Sequence, residues 1–177
     1  TGGAATLVTE RESGLLKRVA STPISRGAVV AGKWLARLGM GAAQLGVAVV
    51  VGAVVFGLDW GDSKPMVMAV LLAWAAFNAS LALLLANLAR SAAQMAGLGV
   101  MASMVLAALG GCWWPVEIAP AWMQTLSLVL PTGWCMDALH QLVNFGDPAV
   151  SAVPHLFALV AGALALGWVG VRTFRYQ

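Results

Sequence analysis

Four stretches of this chain run longer without a charged residue than a soluble domain tolerates. Residues 38–58, "LGMGAAQLGVAVVVGAVVFGL", lie uncharged between Arg37 and Asp59. Similar runs separate Lys64 from Arg90 and Arg90 from Glu117, and "HLFALVAGALALGWVGV" follows Pro154 up to Arg172. A bilayer core takes roughly 17–25 mainly apolar residues per helix, so each run can cross. None would carry a charge into hydrocarbon. The spans are predicted at 38–58, 66–88, 92–110 and 155–171. With 60% hydrophobic and 10% charged residues, against about 25% charged in soluble domains, the composition agrees. The expected fold is an all-α polytopic membrane protein. The chain opens on Thr1 with no charged leader, so no signal peptide is read. "TGGAATLVT" reads as the tail of an earlier span, and the chain as a fragment cut or processed upstream.

Charge position orients these spans. The net charge of +3 raises the possibility of nucleic acid, but in a membrane chain the placement of Lys and Arg is more informative. Segment 10–37 carries Arg11, Lys17, Arg18, Arg26, Lys33 and Arg37, and Arg90, Arg172 and Arg175 fall on the same side of a four-span chain. Every basic residue but Lys64 therefore shares one side, which the positive-inside rule makes cytoplasmic. Residues 10–37 and the C-terminus are expected in the cytoplasm, and the localisation is the plasma (bacterial inner) membrane. Asp59, Asp62, Glu117, Asp137 and Asp147 fall outside. No nucleic-acid partner is expected, and membrane lipid surrounds the chain.

The segment from Leu109 to Pro148 is apolar but interrupted by Pro115, Pro120, Pro131 and Pro148, and it holds Trp113, Trp114, Trp122 and Trp134. If it crossed, Arg172 and Arg175 would lie outside. Its unbroken helical run, 121–130, is about 15 Å long, half a bilayer. Residues 112–147 are therefore read as an outer re-entrant segment. Pro120 suits the first position of a helix, Pro131 ends it, and Gly133 permits a turn. In a second helix Asp137, His140, Gln141 and Asn144 form one polar stripe. The tryptophans suit the headgroup level.

At the other end, Thr9-Glu10-Arg11-Glu12 reads as a capping box. The helix it starts groups Leu15, Leu16 and Val19, and Thr22-Pro23 stops it and begins the next. By itself this is a basic amphipathic helix resting on anionic lipid. Ser91 and Gln94 form a second capping box. Small-residue pairs Ala28/Gly32, Ala42/Gly46, Ala48/Gly52 and Ala93/Gly97 allow close helix approach. Gln44, Asn78, Ser80 and Asn87 either line a path or bond neighbouring helices.

Chemistry on the chain itself is sparse. No P-loop or phosphate cradle is present, so no ATP hydrolysis is expected. Asp137 and His140 have two-ligand spacing without a third ligand, and no metal site is assigned. No nucleophile motif supports a hydrolase triad. Cys112 and Cys135 bracket the first re-entrant helix and are either bridged or two small buried thiols.

Two motifs carry a family resemblance. "LGGCWWPVEIAPAWMQTLSLVLPTGWCMDAL" resembles the segment before the last span of ABC-2 type transporter permeases, with its Gly pair, aromatic-Pro step, "P-x-W" and later Pro-x-x-W. "ERESGLLKRVASTPISRGAVVAGK" is similar to that family's cytoplasmic signature. The resemblance implies a permease subunit of an ATP-driven ABC exporter, itself not an enzyme. Helix 10–21 would be a coupling helix, with Glu10, Arg11, Glu12, Leu15 and Leu16 contacting an ABC ATPase subunit. It implies a second permease copy, as a homo- or heterodimer, with ATP and Mg held by the ATPase and no cofactor on this chain. Gly110, Gly111, Trp114, Pro115, Pro120, Trp122, Pro131 and Trp134 would form the outer gate. The family's usual six spans are not all present here. The alternative is a non-transporting membrane anchor or assembly subunit. Drugs, lipids and polysaccharides are all substrates within the family, and no residue cluster names one.

Overall fold

The computed structural model describes residue 9, residues 26–89 and residues 91–173, so the expected coupling helix at 10–21 lies outside the described residues. Among the described residues the chain is helical without strands, and four helices are long and apolar enough to cross a membrane. These are α1 (Arg26–Phe56), α2 (Lys64–Leu88), α3 (Ala92–Leu109) and α6 (Val153–Thr173). Between α3 and α6 come two short helices, α4 (Ala121–Ser127) and α5 (Pro131–Leu139). A π-turn at His140–Asn144 extends α5, and 3-10 turns sit at Val116–Ile118 and Ala149–Ala152.

The helix ends follow local chemistry. Gly57, at φ 62°, stops α1 in a left-handed conformation that a side chain disfavours. Pro65 stands in the first turn of α2, where its missing N–H leaves no bond unmade. Ser91 caps α3 by accepting from the Gln94 N–H at 3.1 Å. At 31 residues α1 is about 46 Å long. It begins well before the expected span, in the basic stretch of Lys33 and Arg37.

Helix α2 is the centre of the bundle, and its longest seam is with α6. Phe77, Ser80 and Leu83 recur along one face of α2 and meet glycines of α6. A Cβ at Gly162 would stand 2.8 Å from Phe77 Cε2, one at Gly167 3.4 Å from Ser80 Oγ, and one at Gly170 3.1 Å from Leu83 Cδ2. Missing side chains let the backbones approach, which is how apolar helices gain contact where lipid competes for every apolar surface. The small-residue pairs expected to pack do not form this seam. Gly32, Gly46 and Gly97 have open space around them among the described residues. Gly52 is the exception, since a Cβ there would stand 3.0 Å from the Trp60 ring. Spacing shows which residues share a helix face; it does not say which face meets a neighbour.

Of the polar groups at depth, Ser80 and Asn87 bond neighbouring helices. Trp34 Nε1 on α1 donates to Ser80 Oγ at 2.9 Å, and Asn87 Nδ2 donates to the Gly170 carbonyl at 2.8 Å. Gln44 is exposed.

Two apolar clusters fix the ends. One joins Val30 of α1, Leu83, Ala86 and Ala89 around the end of α2, and Met95 of α3. The other sets Val67, Val70, Leu71 and Ala73 of α2 against Cys135, Ala138 and Leu142 of the α5 unit and Ala152 and Leu159 near the start of α6. The chain between α3 and α6 thus leaves and returns at one end of the bundle. Its first helix is shorter than the expected 121–130 run, because residues 127–130 form the turn. Pro131 opens the second helix rather than ending the first, and Gly133 lies inside that helix.

Enlarging the seam should show where the bundle is tight. Gly162→Leu is expected to lower stability in detergent by about 1–3 kcal/mol, with part of the loss recovered in a Gly162→Leu/Phe77→Ala double variant. Additive losses in a thermal unfolding assay would contradict this packing.

Candidate functional site

The short helices form a cap in which specific bonds meet several of the breaks in regular backbone. Gly110 caps α3 with its N–H on the Leu106 carbonyl at 2.9 Å. Gly111, at φ 80°, reverses the chain, and a Cβ there would run into Val116. Pro115 precedes the Val116–Ile118 turn and Pro120 caps α4. Gln124 reaches back across that junction, donating to the Glu117 and Ala119 carbonyls at 3.2 and 2.9 Å. The Trp134 indole closes the α4–α5 corner by donating to the Leu128 carbonyl at 2.7 Å. Inside that corner Gly133 lies against the Ser127 carbonyl, leaving no room for a side chain.

Two joints hold the cap to the bundle. On the α3 side, Thr132, 3% exposed, donates from Oγ1 to the Leu106 carbonyl at 2.7 Å. Its side chain occupies the space a Cβ on Gly110 would need. On the α6 side, Asp137 Oδ2 meets His155 Nε2 at 2.7 Å and accepts from Gln141 Nε2 at 3.1 Å. Asp137 thus pairs with His155 on α6, not with His140, whose spacing from it is that of a second ligand. Among the described residues no three His, Cys, Asp or Glu side chains gather as metal ligands would.

A cleft of about 260 Å³ separates α2 from α3. Its long walls include Trp74, Asn78, Leu85, Met95 and Ser103, and its cap end is formed by Leu106, Ala107, Cys112 and Thr132. From Trp74 to Leu85 it runs about 16 Å along α2. Asn78 donates to the Trp74 carbonyl at 2.8 Å and Ser103 to the Gly99 carbonyl at 2.7 Å, so each polar wall residue is tied to its own helix. The cleft is thus apolar with neutral polar points, suited to a neutral or amphiphilic molecule more than to an ion.

The cysteines are both free. Cys112 is exposed in the turn after α3, whereas Cys135 is buried in α5. Burial pushes the Cys135 thiol up to about 12, and Cys112 nearby adds to the shift. Burial also raises Cys112.

The sequence-predicted cap residues divide into two groups. Gly110, Gly111, Pro115, Pro120, Pro131 and Trp134 all lie at helix ends or corners of the cap. Trp113, Trp114 and Trp122 are exposed on it, with the first two rings edge to face at 5.9 Å. Glu10, Arg11, Glu12, Leu15 and Leu16 lie outside the described residues. Thr132, Gln124 and His155 were not singled out as joints. "P-T-G" reads locally as a turn, and only the fold brings Leu106 to Thr132.

Apolar helices of spanning length, with a helical cap that returns to the end it left, define a multi-pass membrane protein of the permease type. The ABC-2 type transporter family profile matches residues 1–143, and the chain belongs to that family. It is also 25% identical over 174 residues to the linearmycin resistance permease protein LnrN of Bacillus subtilis (strain 168), a match covering 98% of this chain and 45% of that protein. The chain therefore spans less than half the length of this curated relative. No solved structure matches it.

Thiol chemistry tests the cap's geometry. In the folded protein at pH 7, maleimide should modify Cys112 and leave Cys135 intact. Raising the pH toward 9 should speed Cys112 labelling, since the reactive thiolate becomes more abundant as pH approaches a raised pKa. Mass spectrometry showing comparable modification of both would contradict the buried placement of Cys135.

Proposed function

We propose that this chain is the transmembrane permease part of an ATP-driven ABC-2 exporter, with ATP and Mg bound by a separate ATPase subunit. The observation that carries the reading is the cap: interrupted backbone lies over one end of a cleft between two spans. Irregular backbone at membrane depth persists where it is covered by protein or faces a cavity, and a closable cavity is what a transport cycle needs. Family membership supports the same reading. In this reading Gly110, Gly111, Trp114, Pro115, Pro120, Trp122, Pro131 and Trp134 belong to the outer gate. Basic residues concentrated at the opposite end support placing that end in the cytoplasm.

Two permease copies would assemble with two ATPases. Glu10, Arg11 and Glu12 would make polar contacts with the ATPase, with Leu15 and Leu16 as apolar anchors. Carboxylates at 10 and 12 add nothing to binding anionic lipid, which favours a protein partner for this segment. The relative is named for linearmycin resistance, and the mostly apolar cleft suits cargo of that general kind, a drug-like or lipid-like compound, better than a polysaccharide.

Reversal of both carboxylates, Glu10→Lys with Glu12→Lys, is expected to abolish co-purification of the ATPase while leaving membrane insertion unchanged. Pro120→Leu and Pro131→Leu are expected to reduce export without preventing insertion. A purified full-length subunit that neither retains an ATPase nor stimulates ATP hydrolysis would be a membrane anchor instead.

A further inference from the structure

We propose that Thr132 is the positioning residue that holds the cap shut over the α2–α3 cleft, and that release of its hydroxyl from the Leu106 carbonyl opens the cleft at that end; this rests on the exporter reading. The two sides of the cap are fastened differently. On the α2 and α6 side, Ala138 and Leu142 are buried in an apolar cluster with Val70, Leu71 and Leu159. On the α3 side, a neutral hydrogen bond of 2.7 Å joins Thr132 to Leu106. Thr132, Leu106 and Cys112 all line the cleft, so this joint is also its end wall. The chain also joins the cap to α3 through Gly110 and Gly111, so a cap pivoting on its embedded side parts from α3 at the Thr132 bond and turns about these glycines.

The joint is built for contact and for release. Gly110 leaves space that the Thr132 side chain fills, so a methyl group there must displace it. The backbone of Gly110, at φ −90° and ψ 9°, is open to alanine, so such a displacement comes from sterics and not from the glycine's own torsions. The Leu106 carbonyl already accepts the Gly110 N–H at 2.9 Å. When Thr132 leaves, that carbonyl keeps a partner, which removes the main cost of breaking a buried bond. The freed hydroxyl faces the cleft, where water can accept it.

The native cysteines report the joint, because Cys112 is exposed and buried Cys135 stands one helical turn from Thr132, on the same face of α5. The full-length protein in its own membrane is treated with a small uncharged maleimide without nucleotide, with Cys112 as internal reference. Cys135 labelling relative to Cys112 is expected to rise about three- to tenfold in Thr132→Val and in Gly110→Ala, the shift that loss of one net hydrogen bond allows. In Thr132→Ser, which keeps the hydroxyl, it stays at the wild-type level. Unchanged protection of Cys135 in both Thr132→Val and Gly110→Ala overturns the proposal, as does equal loss of protection in Thr132→Ser. In the wild-type complex, added ATP is expected to raise Cys135 labelling, and ATP-independent labelling overturns release as a step of the cycle. Absence of any associated ATPase removes the exporter reading instead, and leaves the nucleotide-free comparison standing.

Discussion

The contact between α2 and α6 is the one the remaining structure is built upon. Helices in lipid gain little from burying apolar side chains, because lipid tails solvate those groups equally well. They gain from fitting closely, and glycine makes the closest fit. Gly162, Gly167 and Gly170 provide that fit for Phe77, Ser80 and Leu83. The consequence is visible in burial: half of the α2 span is enclosed, against 6% of α1 and 11% of α3. Helix α2 is therefore a core element, and α1 and α3 present most of their surface outward. The cap is seated on the same platform, since the cluster that holds α5 draws on both α2 and α6.

A cap with this many interruptions has a second requirement, the satisfaction of its backbone. Each helix end leaves carbonyl and N–H groups without intrahelical partners, and apolar surroundings make an unpaired group costly. Prolines at 120 and 131 remove a donor where none would be paired. Side chains supply donors to carbonyls that the breaks expose: Gln124 for Glu117 and Ala119, Trp134 for Leu128. The tryptophans of this segment thus have unequal roles. Trp134 is a corner brace, whereas Trp113 and Trp122 stay exposed and suit an interface between apolar and wet surroundings.

The four spanning helices were legible in the sequence, because they follow from local properties. Charge-free length defines a span, and four prolines in one apolar segment shorten any helix below the crossing length. Partner choice was not legible in the same way. The pairs at Gly32, Gly46 and Gly97 had the right spacing for a seam and face open space among the described residues, while the working glycines sit on α6. Thr132 and Leu106 are 26 positions apart, and Asp137 reaches His155 instead of the closer His140. Periodicity assigns a residue to a face, and the fold alone decides what that face meets. The α4–α5 boundary shifted for a simpler reason. A proline ends the helix before it and equally begins the next, and here both effects fall within a few residues.

The two joints of the cap differ in how their surroundings treat them. Asp137 is about half exposed at 54%, with its partner His155 at 20%. A polar contact that exposed is weakened by competing water and contributes about 0–1 kcal/mol. Thr132 is buried, so its bond to Leu106 is unscreened, yet as a neutral bond it contributes only about 0.5–1.5 kcal/mol net. Neither joint compares with the apolar cluster, where full burial of one large side chain such as Leu142 is worth about 1.5–3 kcal/mol. The cap is therefore held in place by its apolar side and held in register by its polar contacts. In the proposed release the α3 joint opens at low cost while Ala138, Leu142 and Leu159 stay buried. Movement of α3 away from α2 would then uncover the end of the cleft without unfolding the cap.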